Sequence, residues 1–365
     1  MGENHLTYFK IENFKRFDSF EMENLGQYNL LVGDNNVGKT SVLEGLLFKE
    51  NTKDWLVNLF FSLTNRKIIP NKNNTYTYLA KSLSKIITWE SLLKNVKNPF
   101  IITYKYFGNT NDENISLQLL ESDDLNTKDR NYLIKESLNN NSELWFRIFK
   151  GTKYEGTFTF SIDNLSPSLQ QYNLLSNTIG HTDQLVKVYL KYINNDKGLR
   201  KLFDEILRLF IPNLEETRLH SVFDSDCIGI SLTDENNIYP IARFGDGSIK
   251  IARTIIGVIS SISVGRLMID EIETGIHFSR LKDFWKTVIT LCKKYDVQLF
   301  ATTHSLECQK YFVYALAELE EEDRKNARNI SLLENKEGNV ESVTFDYEQF
   351  EFALEIGANT RGGER

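Results

Sequence analysis

The octapeptide Gly33-Asp34-Asn35-Asn36-Val37-Gly38-Lys39-Thr40 constrains this chain more than any other feature, because it fits G-x-x-x-x-G-K-[ST] and directly follows the apolar run Tyr28-Asn29-Leu30-Leu31-Val32. Glycines let a backbone curl until successive N–H groups face one point, and a helix N-terminus behind them adds partial positive charge. After Gly38, residues Val42, Leu43, Leu46 and Leu47 recur at helical spacing, so the text reads strand, glycine loop, helix. Chance would supply the octapeptide in roughly one chain in a hundred of this length, and the flanking elements make chance rarer still. The pattern predicts an α/β fold that cradles nucleotide phosphates on residues Gly33 to Thr40 and Ser41. In such a loop Lys39 reaches the β- and γ-phosphates and the Thr40 hydroxyl ligates Mg²⁺.

Three further segments bear on the same chemistry. Leu267-Met268-Ile269-Asp270-Glu271 is an apolar strand ending in two acids, and ligands of open α/β sheets bind at carboxyl strand ends. Asp270 is the expected Mg²⁺ partner beside Thr40. Glu271 is the expected group that orients or deprotonates a water attacking the γ-phosphate. Val297-Gln298-Leu299-Phe300-Ala301-Thr302-Thr303-His304-Ser305 is a second apolar strand with a polar end, where His304 can hydrogen-bond the γ-phosphate. Phe244-Gly245-Asp246-Gly247-Ser248 precedes an apolar helix expected over Ile249 to Ile262, and its Gly245, Gly247 and Ser248 make a second candidate phosphate contact.

Composition narrows the classes. With 365 residues, 41% of them hydrophobic, the chain can bury at least one large core. Its 43 basic and 50 acidic residues give a net charge of −7, which argues against nucleic-acid binding over the whole surface but leaves a local patch open. One region does run basic: residues 49–98 hold nine Lys/Arg against three acids, opposite in sign to the whole. Cys227, Cys292 and Cys308 are far apart and match no metal-ligand spacing, and no charged-then-apolar leader opens the chain, so a reducing cytoplasm is expected. The longest apolar region, Ile255 to Ile269, is broken by Ser260, Ser261, Ser263 and Arg266 and falls short of the ~20 residues a membrane span needs.

The remaining text alternates. Leu6 to Phe14 reads as a strand; residues 49–98, with the amphipathic run Leu79 to Leu93, read as a basic helical insertion. Phe100 to Phe107, Ile115 to Leu120 and Leu144 to Ile162 read as strands, and about 167–210 as largely helical, including Leu185 to Tyr192 and Leu199 to Phe210. Two strands, Cys227 to Leu232 and Asn237 to Ala242, then lead into alternating helix and apolar strand, the mark of a parallel sheet. The division expected is a head from 1–48 and 222–365, the insertion at 49–98, and residues 99–221 completing the head lobe.

Taken together, Phe9-Lys10-Ile11-Glu12-Asn13-Phe14, the glycine loop, Gly245-Asp246-Gly247, Asp270-Glu271-Ile272-Glu273-Thr274-Gly275-Ile276-His277 and Thr302-Thr303-His304-Ser305 resemble the ABC-type ATPases of the OLD, RecF and SMC-head group, most of all the OLD-like branch. The resemblance covers about residues 5–48 and 222–360. It implies an ABC-type P-loop ATPase head, mixed N-terminal strands plus a parallel-sheet core, using ATP and Mg²⁺. It further implies Walker A at Gly33 to Thr40, a magnesium-ligating Asp270, a catalytic Glu271, a D-loop from Thr274 to His277 and a switch His304. In this group a signature loop, here Phe244 to Ser248, reaches ATP held by a second copy, so the resemblance implies a homodimer or larger assembly. The chain departs from it in two places: Gly245-Asp246-Gly247-Ser248 is not LSGGQ, and the D-loop ends in His277 rather than Asp. No TOPRIM nuclease domain is expected after Ile330 to Leu333 and Val343 to Tyr347. The arrangement thus resembles ATPase subunits of bacterial anti-phage systems such as PARIS and Septu, which act through a separate effector. A RecF-like DNA-binding repair ATPase is the alternative expectation.

Overall fold

The run Tyr28–Gly33 (β3) is buried from end to end, as a strand covered on both faces must be. The computed structural model describes residues 1–48, 93–95, 98–119, 143–161, 174–175, 183–222 and 225–357. In it β3 lies within a six-stranded sheet, parallel on one side to β13 (Gln298–Thr302) and on the other to β14 (Ala327–Glu334). Parallel strands β12 (Arg266–Ile269) and β8 (Leu174–Leu175) continue beyond β13, and β15 (Val340–Phe345) closes the far edge antiparallel to β14. Pairing of Ile269 with Ala301 and of Thr302 with Leu31 brings the carboxyl ends of β12, β13 and β3 to one edge. That edge is where such sheets hold ligands.

Side-chain alternation gives this sheet two cores. Leu31, Met268, Phe300 and Ile330 face helix α1 (Lys39–Gly45) and the N-terminal strands. Leu30, Val32, Leu267, Ile269, Leu299 and Ala301 face the opposite way, toward α4 (Asp246–Ser260), α5 (Leu281–Lys294) and α6 (Leu306–Ala317). A second sheet, fully antiparallel, runs β2 (Phe17–Glu23), β1 (Leu6–Phe14), β4 (Phe100–Tyr106), β5 (Glu113–Leu119), β6 (Glu143–Lys150) and β7 (Lys153–Ser161). Its aromatic side chains are part of the first core: Phe14 of β1 stacks on Phe100 of β4 at 4.8 Å between centroids, and Phe48, just after α1, packs on Tyr104 of β4 at 4.6 Å. A third, three-stranded sheet joins β9 (Leu214–Val222), β10 (Ser225–Leu232) and β11 (Ile238–Pro240). The architecture is mixed α/β, as expected: a largely parallel sheet carrying the glycine loop, flanked by antiparallel strands.

Several local expectations need correction. Leu144 to Ile162 is two strands, because Lys150 pairs with Lys153 across a two-residue turn in which Gly151 takes φ 62°. The stretch expected to be largely helical contains β8, whose two residues sit at the edge beside β12. Helices α2 (Asp183–Tyr189), extended by a π-turn at Leu190–Asn194, and α3 (Lys197–Arg208) do form there. β9 went unread because its Glu215-Glu216-Thr217-Arg218 text lacks an apolar run, although it pairs along its length with β10. The 222 boundary therefore falls inside a hairpin. The strand expected to reach Ala242 ends at Pro240 and gives way to a 3₁₀ turn, Ile241–Phe244, and α4 begins at Asp246 and stops at Ser260. Of the basic insertion only residues 93–95 and 98 are described; the rest, with nearly all of the Leu79 to Leu93 run, lies outside the described residues. Among the described residues no helix is long and apolar enough to cross a membrane.

Candidate functional site

The loop between β3 and α1 is shaped by residues that tolerate positive φ: Gly33, Asn36 and Gly38 stand at 151°, 68° and 105°. A Cβ on Gly33 would lie 2.7 Å from the Leu332 carbonyl, and one on Gly38 2.6 Å from the Phe17 ring, so both glycines are also demanded by close packing. Arg16 donates to the Asn36 carbonyl and pairs with Glu334 at 2.9 Å, pinning the loop between β14 and the β1–β2 turn. Asp34 and Asn35 are exposed, Val37 is buried and Ser41 half-buried. Lys39, only 5% exposed, curls back so that Nζ donates to the Gly33 and Asp34 carbonyls at 2.7 and 2.8 Å. Burial pushes its pKa down to about 8, against the opposing pull of Asp270, Asp34, Glu271 and Glu273.

The two neighbouring strand ends bring their polar residues to this lysine. Thr40 Oγ1 donates to Asp270, 3.0 Å from Oδ2 and 3.2 Å from Oδ1. Thr302, fully buried at the end of β13, donates to Asp270 Oδ1 at 2.7 Å and accepts the Glu271 N–H at 2.9 Å, so one hydroxyl fixes both acids. Glu271 adopts φ 46°, a conformation uncommon outside glycine. Its carbonyl is held by the Thr274 N–H at 3.0 Å and by Lys250 Nζ at 3.1 Å. His304 bridges the rest: Nδ1 lies 3.3 Å from Lys39 Nζ and Nε2 3.5 Å from Glu271 Oε1. An ammonium can only donate, so Nδ1 accepts from Lys39 and the ring proton sits on Nε2, facing Glu271.

The structure thus gathers Lys39, Thr40, Asp270, Glu271 and His304 at one edge. It sets the Gly245-Asp246-Gly247-Ser248 turn apart: among the described residues no hydrogen bond joins that turn to residues 33–41. The turn packs instead on the loop after β12, where a Cβ on Gly247 would meet the Gly275 carbonyl at 2.9 Å. Gly245 and Asp246 are exposed, whereas Ser248 is 7% exposed and its hydroxyl donates to the Phe244 carbonyl at 3.0 Å. As placed, the Ser248 hydroxyl closes its own turn. His277 accepts from the Ser279 N–H and caps the short Phe278–Arg280 turn.

Three contributors were invisible in the sequence reading. Thr302 stood in a quoted strand without a role, and its place directly before Thr303-His304 was the only signal. Lys250 carried none; it is buried on α4, and burial beside Arg253 lowers its pKa to about 8. Arg16 reads as an ordinary turn residue until its carbonyl partner is seen.

The donors suit Mg²⁺: a hydroxyl and a carboxylate converge, both hard oxygen ligands, and this ion is commonly held by one or two carboxylates with phosphate and water oxygens completing its shell. Among the described residues no group of three or more His, Cys, Asp or Glu forms a closed metal cage. The positive-φ glycines of the loop and the Lys39 ammonium held within it suit a polyphosphate.

Comparison with known proteins bears on the identity of this arrangement. The profile of a family described as "AAA domain, putative AbiEii toxin, Type IV TA system" matches residues 111–307, more than half of the chain. That segment includes Asp270, Glu271 and His304. A Helicobacter pylori protein named "ATP/GTP phosphatase" is 21% identical over 378 residues, covering 97% of this chain and 99% of its own. Among solved structures, the SMC head domain from Thermotoga maritima aligns with TM-score 0.47 at 10% identity, over 94% of this chain and 99% of that one. An SMC head bound to the C-winged helix domain of ScpA aligns with TM-score 0.49 at 10% identity, over 96% of this chain and 100% of that one.

Proposed function

The chain belongs to this AAA-domain family, and from that premise we propose that it is a Mg²⁺-dependent ATPase that converts ATP and water to ADP and phosphate at the edge formed by β3, β12 and β13. The observation that carries the reading is the convergence of Lys39, Thr40, Asp270, Glu271 and His304 from three separate strand ends. The loop Gly33 to Ser41 binds the phosphates, and Lys39 leaves its two loop carbonyls for them. Thr40 and Asp270 hold the metal, which when bound offsets phosphate charge. Glu271 orients and deprotonates the attacking water, and His304 holds Glu271 in place while reaching the γ-phosphate. Lys39→Ala is expected to abolish phosphate release and ATP binding together; normal release from that variant contradicts the reading.

The active form is an assembly in which the exposed Gly245-Asp246-Gly247 turn of one copy meets nucleotide held by another. Its packing against Gly275 supports this, since the two loops then present one face. Mixing Lys39→Ala with Asp246→Arg chains should recover part of the activity lost by each, because one intact composite site re-forms; no recovery at any ratio contradicts it. The working division is a head of 1–48 and 222–365, completed by 99–221 through the β9–β10 hairpin that crosses position 222, with 49–98 as an insertion. The pairing of β1 with β4 supports the second part.

The toxin–antitoxin wording of the family, together with the resemblance to anti-phage ATPase subunits, supports a role in which nucleotide state holds or releases a separate effector protein. Three unpaired thiols, Cys227, Cys292 and Cys308, support a reducing compartment. Proteins co-purifying with Glu271→Gln, and released by ADP, would be that effector. DNA-stimulated phosphate release with no such protein would favour a RecF-like repair ATPase instead.

A further inference from the structure

Glu273 has no part in the reaction as proposed, yet its carboxylate organises the loop that carries His304. Its Oε1 accepts from Thr303 Oγ1 at 2.7 Å, from the His304 N–H at 3.1 Å and from the Ser305 N–H at 3.3 Å. Three consecutive residues, some thirty positions away in sequence, therefore converge on one oxygen. Its Oε2 is buried and has no hydrogen-bond partner among the described residues. A half-buried carboxylate with one oxygen buried and the other accepting three hydrogen bonds is well placed to fix the loop that donates them. The loop has one further tie within itself, Ser305 N–H to Thr303 Oγ1 at 3.0 Å, and Ser305 Oγ then caps α6 by accepting the Cys308 N–H at 3.1 Å. From the turn after β12, Glu273 thus sets where β13 ends and α6 begins, and His304 leaves the backbone between the two.

We propose that Glu273 is a positioning residue for the hydrolytic step: its three accepted hydrogen bonds aim the His304 ring so that Nδ1 meets Lys39 and Nε2 meets Glu271. This rests on the role assigned above to His304. The effect is geometric and runs through hydrogen-bond acceptance, which fixes how each variant behaves. Glu273→Ala removes the acceptor, leaves two backbone N–H groups without it, and frees the ring to shift.

The test is a double-mutant cycle read in steady-state phosphate release and, separately, in ATP affinity. Glu273→Ala should lower kcat about 10- to 100-fold, the scale of a misplacement near 1 Å, with ATP affinity within about 3-fold of wild type. Glu273→Gln retains an acceptor oxygen in the same place and should stay within about 5-fold of wild type. In a His304→Ala background, Glu273→Ala should cost no more than about 2-fold further, because the side chain it positions is gone. A purely structural Glu273 would lower both backgrounds equally, and that multiplicative loss overturns the proposal, as does a Glu273→Gln as impaired as Glu273→Ala. If the alanine variant does not fold, Glu273→Asp, charged but one methylene too short, takes its place in the same cycle. Wild-type turnover in His304→Ala would sink the role of His304 itself; wild-type turnover in Glu273→Ala beside an impaired His304→Ala would sink this inference alone.

Discussion

Thr302→Val is a sharp probe of the site because valine nearly matches threonine in volume and removes only the hydroxyl. That hydroxyl is fully buried, donates to Asp270 Oδ1 at 2.7 Å and accepts the Glu271 N–H at 2.9 Å. Losing a bond to an ionised partner costs about 1.5–3 kcal/mol, and leaving a buried N–H unpaired about 1–3 kcal/mol. The two losses share one hydroxyl and Asp270 keeps Thr40, so their combined cost should be less than the sum, about 2–4 kcal/mol of stability. Urea unfolding measures it, as a lower midpoint at unchanged slope. Freed of its anchor, the Glu271 backbone can relax from φ 46°, and kcat should fall about 10- to 100-fold. A Thr302→Val protein with wild-type midpoint, slope and kcat would refute the claim that this hydroxyl holds the two acids.

Two further outcomes follow from buried charges. Burial lowers the pKa of Lys39 and of Lys250 to about 8 in the folded chain, against about 10.4 unfolded, so below pH 8 each charged lysine opposes folding, and between the two values the unfolded state binds more protons and that penalty is relieved as pH rises. Function moves the other way: phosphate needs the Lys39 ammonium, so ATP affinity should fall above pH 8 and binding there should take up protons, read calorimetrically in buffers of different ionisation heat. Lys250→Met should keep that uptake if Lys39 is its source. Glu44 is wholly inaccessible and pairs with the half-buried Lys15, so Lys15→Met should lower stability and the double change to methionine should restore most of the loss, by chemical unfolding.

How much of this was legible depends on how local each signal is. β3, its loop and α1 were readable because apolar run, glycine spacing and helical periodicity fall within twenty residues. The acids of β12 and His304 were readable because continuous apolar strands ending in polar residues mark a parallel sheet. Thr302, Lys250 and Glu273 were not, since each acts through a partner on another strand or helix, and nothing in a threonine or a lysine announces a long-range hydrogen bond. β9 failed for a related reason: its text shows no alternation, with Leu214 and Thr217 buried and Leu219 exposed, and it rests on β10 for its pairing. The phosphate contact expected of Ser248 came from the glycine-serine turn and from the family resemblance, neither of which says where a hydroxyl turns.

The central claim is that one edge of the parallel sheet hydrolyses ATP with Glu271 as the base. Mixing protein with γ-labelled Mg·ATP and following both labelled phosphate and protein-bound label tests it most directly. Wild type should release labelled phosphate, whereas Glu271→Gln should retain about one intact ATP per chain and release none on the same timescale. Release at the wild-type rate from Glu271→Gln, or no retained nucleotide in a folded variant, would contradict it.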